Sequence, residues 1–321
     1  MQEIVNRAKE LLTEGVVTRV LGWKKGDLPY NPEPAYFTTV EELDTLTYDA
    51  FCGANLSKYM IEASKQEGKT LVFLKPCDTY SYNQLVKEHR VDREKAYIIG
   101  VGCKGKLDIE KIKALGIKGI EEITEKENTL EIKTIYGDKT CTFEEAVITR
   151  CFGCKGTEHV VYDELIGADV ELAFTPVDRF AGVKKLEAMS SEERFAFWQG
   201  ELSKCIRCNA CRNVCPVCSC NKCVFDSDKF DSAQKANTDP FEEQMFHIIR
   251  AWHVAGRCTD CGECSRVCPQ GIPLHLLNRR MIKDINEFYG EYQAGADTET
   301  KGPLTNFTFE DVEPSIVKER G

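Results

Sequence analysis

The sequence lacks any excess of positive charge. Its 42 lysines and arginines face 52 aspartates and glutamates, for a net charge of −10. Nucleic-acid binders need a basic face for phosphates, and anionic membrane surfaces attract polybasic segments, so neither partner is expected. Long apolar runs are missing too. None approaches the roughly 18 residues of a spanning helix, so no membrane span is expected. Residues 1–17 carry Glu3, Glu10 and Glu14 and lack the apolar centre of a secretion signal. Histidine is scarce: His89, His159, His247, His253 and His275 are the whole set. Each reads as a packed or surface residue, and no Ser/His/Asp or Cys/His nucleophile pattern stands out.

Cysteine is abundant, at 17 of 321 residues. With 42% hydrophobic residues the chain has material for a core without staples. In a reducing cytoplasm such thiols are expected as metal ligands or redox groups. Their odd number forbids complete internal pairing. Cys52, Cys77, Cys103, Cys141, Cys151 and Cys154 lie before residue 200, and the other eleven lie within 205–268. That change of density marks a boundary. It predicts an α/β domain over 1–180 with a mixed, partly parallel sheet. A helical dicluster ferredoxin domain follows over 190–288, and an extended tail over 289–321.

Local patterns fill in the first part. Residues 5–12 have helical spacing of Val5, Ala8, Leu11 and Leu12. The apolar runs 71–74 and 97–101 flank a helical pattern over 79–90, which predicts strand, helix, strand in a βαβ unit. Residues 130–135 followed by Tyr136-Gly137-Asp138 predict a hairpin, and 170–174 predicts a further strand. In the second part, Ser190 and Glu193 form a capping box for a helix to about 203. Asp239, Pro240 and Glu242 open another helix, with an apolar stripe of Phe241, Met245, Ile249 and Trp252 ended by Gly256. A third helix is expected near Pro273.

Two motifs carry the strongest chemistry. Cys205-x2-Cys208-x2-Cys211-x3-Cys215-Pro216 and Cys258-x2-Cys261-x2-Cys264-x3-Cys268-Pro269 both match the run that holds 4Fe–4S cubanes. Three thiolates two residues apart cap three corners of one cube, and the fourth points to the partner cluster. Cluster one then takes Cys205, Cys208, Cys211 and Cys268, and cluster two takes Cys258, Cys261, Cys264 and Cys215. A zinc site is the alternative, but it wants four ligands as two C-x2-C knuckles. Arg207 and Arg266 inside the loops favour the reduced, more negative state. Residues 216–257 separate the motifs, and helices flank them. The region resembles the α-helical dicluster modules of the heterodisulfide reductase and succinate dehydrogenase families, which implies a wire for electrons.

The N-terminal part resembles a second family. The matching stretches are Gly15-Val16-Val17-Thr18, Glu41-Glu42-Leu43, Asn55-Leu56-Ser57-Lys58-Tyr59, Lys75-Pro76-Cys77-Asp78, Ile99-Gly100-Val101-Gly102-Cys103, and Cys151-x2-Cys154 followed by Asp169. They resemble the beta subunits of coenzyme F-420-reducing hydrogenases and dehydrogenases. The resemblance implies a 4Fe–4S cluster, a flavin such as FAD, and exchange of electrons with a soluble carrier.

From the residues themselves, Cys77 and Cys103 each follow a predicted strand, and in a parallel sheet both reach the carboxyl edge. Cys151 and Cys154 form a knuckle after the apolar run 146–148. A third 4Fe–4S cluster on these four thiols is the preferred reading; zinc and ordinary buried thiols are the alternatives. Gly100-Val101-Gly102-Cys103-Lys104-Gly105 also fits G-x-G-x-x-G, with Glu121 further on. A cysteine inside that loop fits a cluster ligand better than a pyrophosphate cradle.

Cys218-x-Cys220-x2-Cys223 follows the first motif directly. The trio is a candidate for three corners of a fourth cluster, completed by Cys52 or Cys141. Shared ligation by Cys218, or no metal at all, are the rivals. The expectation is an electron-transfer subunit of a cytoplasmic oxidoreductase complex from an anaerobe. Its partners would be a flavoprotein, hydrogenase, formate dehydrogenase or heterodisulfide-reductase-like subunit, or a soluble ferredoxin. The alternatives are a flavin-dependent enzyme exchanging hydride with a soluble carrier (F-420-like or nicotinamide) and a metal-stabilised adaptor without turnover.

Overall fold

A computed structural model describes residues 1–221, 223–226 and 240–305. The first helix, Gln2–Thr13, buries Ile4, Ala8 and Leu11 at the expected spacing. Strands β1 (Arg19–Lys24), β2 (Glu33–Phe37), β3 (Leu46–Thr47), β4 (Thr70–Leu74) and β5 (Ala96–Val101) come next. Strands β6 (Ile120–Lys126), β7 (Thr129–Thr134) and β8 (Lys139–Thr142) form their own antiparallel sheet. Strand β9 (Glu164–Ile166) returns to the first sheet, whose order is β2-β1-β4-β5-β9 with β3 also on β1. Pairs β1–β4, β4–β5 and β5–β9 are parallel, and β2 and β3 run antiparallel to β1.

The expected βαβ unit is present as β4, helix Pro76–Lys87 and β5. Every residue of β4 is buried, as a central parallel strand covered on both faces requires. The expected hairpin is β7–β8, turning through Gly137. Residues 170–174 are not a strand. Ala173 N–H donates to Lys104 O at 3.0 Å, and Phe174 packs edge-on against Phe152, so the segment's backbone is spent on a loop rather than on the sheet.

The second part is helical: Ala181–Glu187, Ser191–Leu202, Pro240–His253 and Leu274–Tyr289 are its longer elements. The Ser190/Glu193 capping box is formed in full, and Gly256 at φ +71° stops the helix over Pro240–His253. That helix is inverted relative to its expected stripe. Phe241, Met245 and Trp252 are exposed, whereas Glu243, Gln244, His247 and Arg250 are buried. The buried face meets the cysteine loops, where Arg207 Nε donates to Glu243 at 2.9 Å and Arg250 Nη2 to Cys211 O at 3.0 Å. Of the expected tail, residues 306–321 lie outside the described residues. The part before them is tied to helix Pro76–Lys87 by Lys87 Nζ, which donates to Thr300 O at 2.7 Å.

Candidate metal centres

The parallel pairing of β4 and β5 brings their carboxyl ends to one edge. Cys77 sits there in the first turn of helix Pro76–Lys87, and Cys103 sits just past β5. Cys151 lies on the short helix Thr149–Phe152, with Cys154 beyond it. All four thiols line one cavity of about 50 Å³, together with Lys75, Lys106, Arg150, Lys155 and Arg279. Burial pushes the Cys77 thiol well up and raises Cys151, while Lys75 and Arg150 act in the opposite sense. The glycines of the G-x-G-x-x-G loop serve close packing. A Cβ on Gly102 would stand 1.8 Å from Gly167 O, and Gly105 has φ +125° against Phe174.

The two C-terminal loops repeat one backbone shape. Arg207 (φ 50°) and Asn209 (φ 61°) flank Cys208, and Asp260 (φ 57°) and Gly262 (φ 66°) flank Cys261. A left-handed residue before and after the middle cysteine makes the tight turn. For a non-glycine residue that conformation costs roughly 1–2 kcal/mol. A short helix follows each loop, Ala210–Asn213 and Glu263–Arg266. Cys205, Cys208, Cys211 and Cys268 line one cavity of about 20 Å³, so a thiol of the second motif joins three of the first. Cys215 in turn lies close enough to Cys258, Cys261 and Cys264 to raise the thiol pKa of each, secondary to burial. Cys261 also lines the N-terminal cavity, so these two thiol sites abut.

The environment suits anionic clusters. Arg150 and Arg250 are almost fully buried, and the Nε of each has no hydrogen-bond partner. Arg250 lies among Cys264, Cys215, Cys211 and Cys218, and Arg150 among Cys151, Cys77 and Cys261. A buried cation with an unmet donor needs nearby negative charge, which thiolate-bound iron–sulfide cubes supply. Sulfur acceptors are also held. Arg207 N–H donates to Cys205 Sγ at 3.3 Å, and Asn278 Nδ2 to Cys264 Sγ at 3.6 Å. His247 Nε2 lies 3.3 Å from Cys205 Sγ, and burial pushes this histidine down to about 3. The spacing of the motifs does not reveal Arg150, Arg250 or His247; the only hint is a polar stripe on one helix face. Among the described residues no three His, Cys, Asp or Glu side chains form a single-ion site.

The trio is placed differently from the expectation. Cys218, Cys220 and Cys223 line a third cavity, of about 370 Å³. Cys52 is not there. It is fully buried in the core of the first sheet, accepts from Asp49 N–H at 3.3 Å, and is pushed up to about 12 by burial. Cys141 is buried on β8 in the neighbouring core. Sheet pairing and the apolar core hold both away from the trio.

The second motif is locked against the N-terminal α/β part by ion pairs and hydrogen bonds. Glu263 pairs with Arg150 at 3.1 Å and Arg266 at 2.8 Å, and accepts from Asn55 N–H at 3.2 Å. Asp260 pairs with Arg179 and Arg279, each at 2.8 Å. Ser81 and Thr259 share a hydrogen bond of 2.8 Å.

Residues 201–272 match the 4Fe-4S dicluster domain family. The F420-dependent formate dehydrogenase subunit beta of Methanocaldococcus jannaschii is 26% identical over 93% of this chain and 92% of its own length. The F420-dependent formate dehydrogenase 1 subunit beta of Methanococcus maripaludis is 24% identical over 92% of this chain and 91% of its own. A chain of the F420-reducing [NiFe] hydrogenase complex from Methanosarcina barkeri superposes on 48% of this chain and 62% of its own, with 16% identity and a TM-score of 0.36. Among the described residues no helix is long and apolar enough to cross a membrane.

Proposed function

Because residues 201–272 belong to the 4Fe-4S dicluster domain family and nearly the whole chain is similar to formate dehydrogenase beta subunits, we propose that this protein is the iron–sulfur relay of such an oxidoreductase complex. It carries three 4Fe–4S clusters in a row. Cys77, Cys103, Cys151 and Cys154 hold the first. Cys258, Cys261, Cys264 and Cys215 hold the next, and Cys205, Cys208, Cys211 and Cys268 hold the last. The observation that carries this reading is the position of Cys261, which belongs to the second motif yet lines the N-terminal cavity.

A bound 4Fe–4S cluster takes up and returns one electron at a time. The chain's own residues do the rest. Arg150 and Arg250 place fixed positive charge between neighbouring thiol sites, which favours the reduced state at each. Burial of Cys211, Cys215 and Cys264 keeps water from the thiolates. Cys208 is exposed, so electrons enter or leave through the last site. Partner subunits carry the substrate chemistry, and the reducing cytoplasm keeps the thiols available.

Iron, acid-labile sulfide and flavin per chain, measured on anaerobically purified protein, test the reading. About 12 irons in these three sites support it, and about 8 leave only the dicluster and sink the N-terminal site. One flavin per chain would turn the N-terminal domain from a relay into a hydride-accepting enzyme, the second reading, which the F420-dependent relatives favour.

A further inference from the structure

We propose that Cys218, Cys220 and Cys223 hold a further 4Fe–4S cluster by three protein thiolates, leaving its fourth iron open to a small anionic ligand. This goes beyond the relay, which does not use the trio.

The three thiols fall within six residues of sequence and line a single cavity. No other cysteine among the described residues lines it. Cys52 and Cys141 are packed into the cores of the two sheets. The cavity, at about 370 Å³, is far roomier than the thiol-lined cavities of about 50 and 20 Å³. A three-thiolate cluster there leaves space beside its uncoordinated iron.

The wall is cationic. Lys58, Arg212, Arg250 and Arg257 line it. Two carboxylates offset them: Asp226 pairs with Arg212 at 2.8 Å, and Glu88 pairs with Arg257 through Nε at 2.7 Å. Two positive charges are left. Arg250 is 3% exposed, and its Nε lacks a partner. Lys58 Nζ donates to Cys218 O at 2.6 Å, which fixes the loop. Three thiolates on a doubly positive cube core leave one negative charge, and a monoanion on the open iron adds a second. The wall and its occupant then balance. Cys218 N–H donates to Cys215 O at 3.2 Å, so the site adjoins the dicluster and can exchange electrons with it.

The test uses the full chain, purified without oxygen. Wild type is expected to hold about 16 irons, and Cys220→Ser about 12. Mild ferricyanide oxidation should release the iron that lacks a thiolate. That leaves the electron paramagnetic resonance signal of a three-iron cluster in wild type and none in Cys220→Ser. Cyanide, as the anionic probe, should shift the spectrum of one reduced cluster. Arg212→Gln keeps all three thiols and guards against a variant that misfolds. It should retain full iron and need about tenfold more cyanide. Equal iron in wild type and Cys220→Ser overturns the proposal. So does one zinc per chain, with His253 on the wall as its fourth ligand, or the absence of both the three-iron signal and the cyanide shift. Such a failure at about 12 irons leaves the relay standing, whereas about 8 irons removes the relay's N-terminal site.

Discussion

Arg150 and Glu263 stand 3.1 Å apart with both side chains out of solvent, and their ion pair joins the N-terminal thiol cavity to the second cysteine loop. Arg150 comes from the first domain, beside Cys151, and Glu263 from the residue between Cys261's loop and Cys264. Removing Arg150 takes away one of the two cations that compensate Glu263, which costs less than the roughly 3–5 kcal/mol of a buried charge left with no partner. Arg266 still faces Glu263 in the variant, so the fold survives. Arg150→Gln is expected to lower the urea midpoint. It should also lower the midpoint potential of the cluster proposed at the N-terminal thiols, because a nearby cation stabilises the added electron. Arg150→Lys, which keeps the charge, should restore most of the potential. A redox titration followed by electron paramagnetic resonance reads both.

Cys103→Ser should remove about four irons per chain and leave the dicluster signals in place. Loss of all iron would mean that the domains do not load independently. Gly102→Ala should act in the same direction without touching a thiol. Its methyl group would meet the backbone oxygen of Gly167 at 1.8 Å, and such overpacking costs about 1–3 kcal/mol. The displaced loop carries Cys103. Iron content and the thermal midpoint of this variant are the measurements.

Asn209 and Gly262 occupy equivalent left-handed positions but should respond in opposite ways. Asn209→Gly relieves a strained φ and should be neutral or stabilising by up to about 1 kcal/mol. Gly262→Ala would place its Cβ 2.3 Å from Arg150 Cδ. It should destabilise the protein and shift the potential of the cluster proposed at the N-terminal thiols by moving Arg150. Equal effects of the two changes on iron retention and potential would contradict the repeat of loop geometry.

Far from the thiols, Arg7 Nε donates to Glu164 at 2.9 Å and ties the first helix to β9. The hydrogen bond to Arg7 holds the Glu164 carboxyl below the usual glutamate range. A carboxylate lowered in the folded state adds stability that is fully present above its unfolded pKa. That stability is lost as pH falls through the folded value. Wild type should therefore exceed Glu164→Gln by less than about 1 kcal/mol near neutrality. The gap should close on acidification below about pH 4. Denaturation curves of the two proteins at pH 7 and in acid check this; a gap that widens in acid would refute it.

Some features of this protein are local, and those were legible in the residues. The βαβ unit around Cys77 and Cys103 follows from two apolar runs and a helical period, because burial of a parallel strand on both faces demands such runs. The Ser190/Glu193 cap needs only a spacing of three. The doubled C-x2-C-x2-C-x3-C-P run points to eight thiols, because a cube's corners impose that spacing on one loop, and Cys205, Cys208, Cys211 and Cys268 of that set line one cavity. What joins distant parts of the chain was decided by the tertiary structure alone. Cys52 has the chemistry of a ligand, yet the core of the first sheet holds it. The helix over Pro240–His253 has an apolar stripe that predicts burial, but the cysteine loops draw its His247 and Arg250 inward instead. Residues 170–174 alternate like a strand, yet their partner is the Lys104 loop. Arg150 and Glu263 are 113 positions apart (263 − 150). Spacing cannot report such a pair, because compensation of a buried charge depends on what the fold brings within reach.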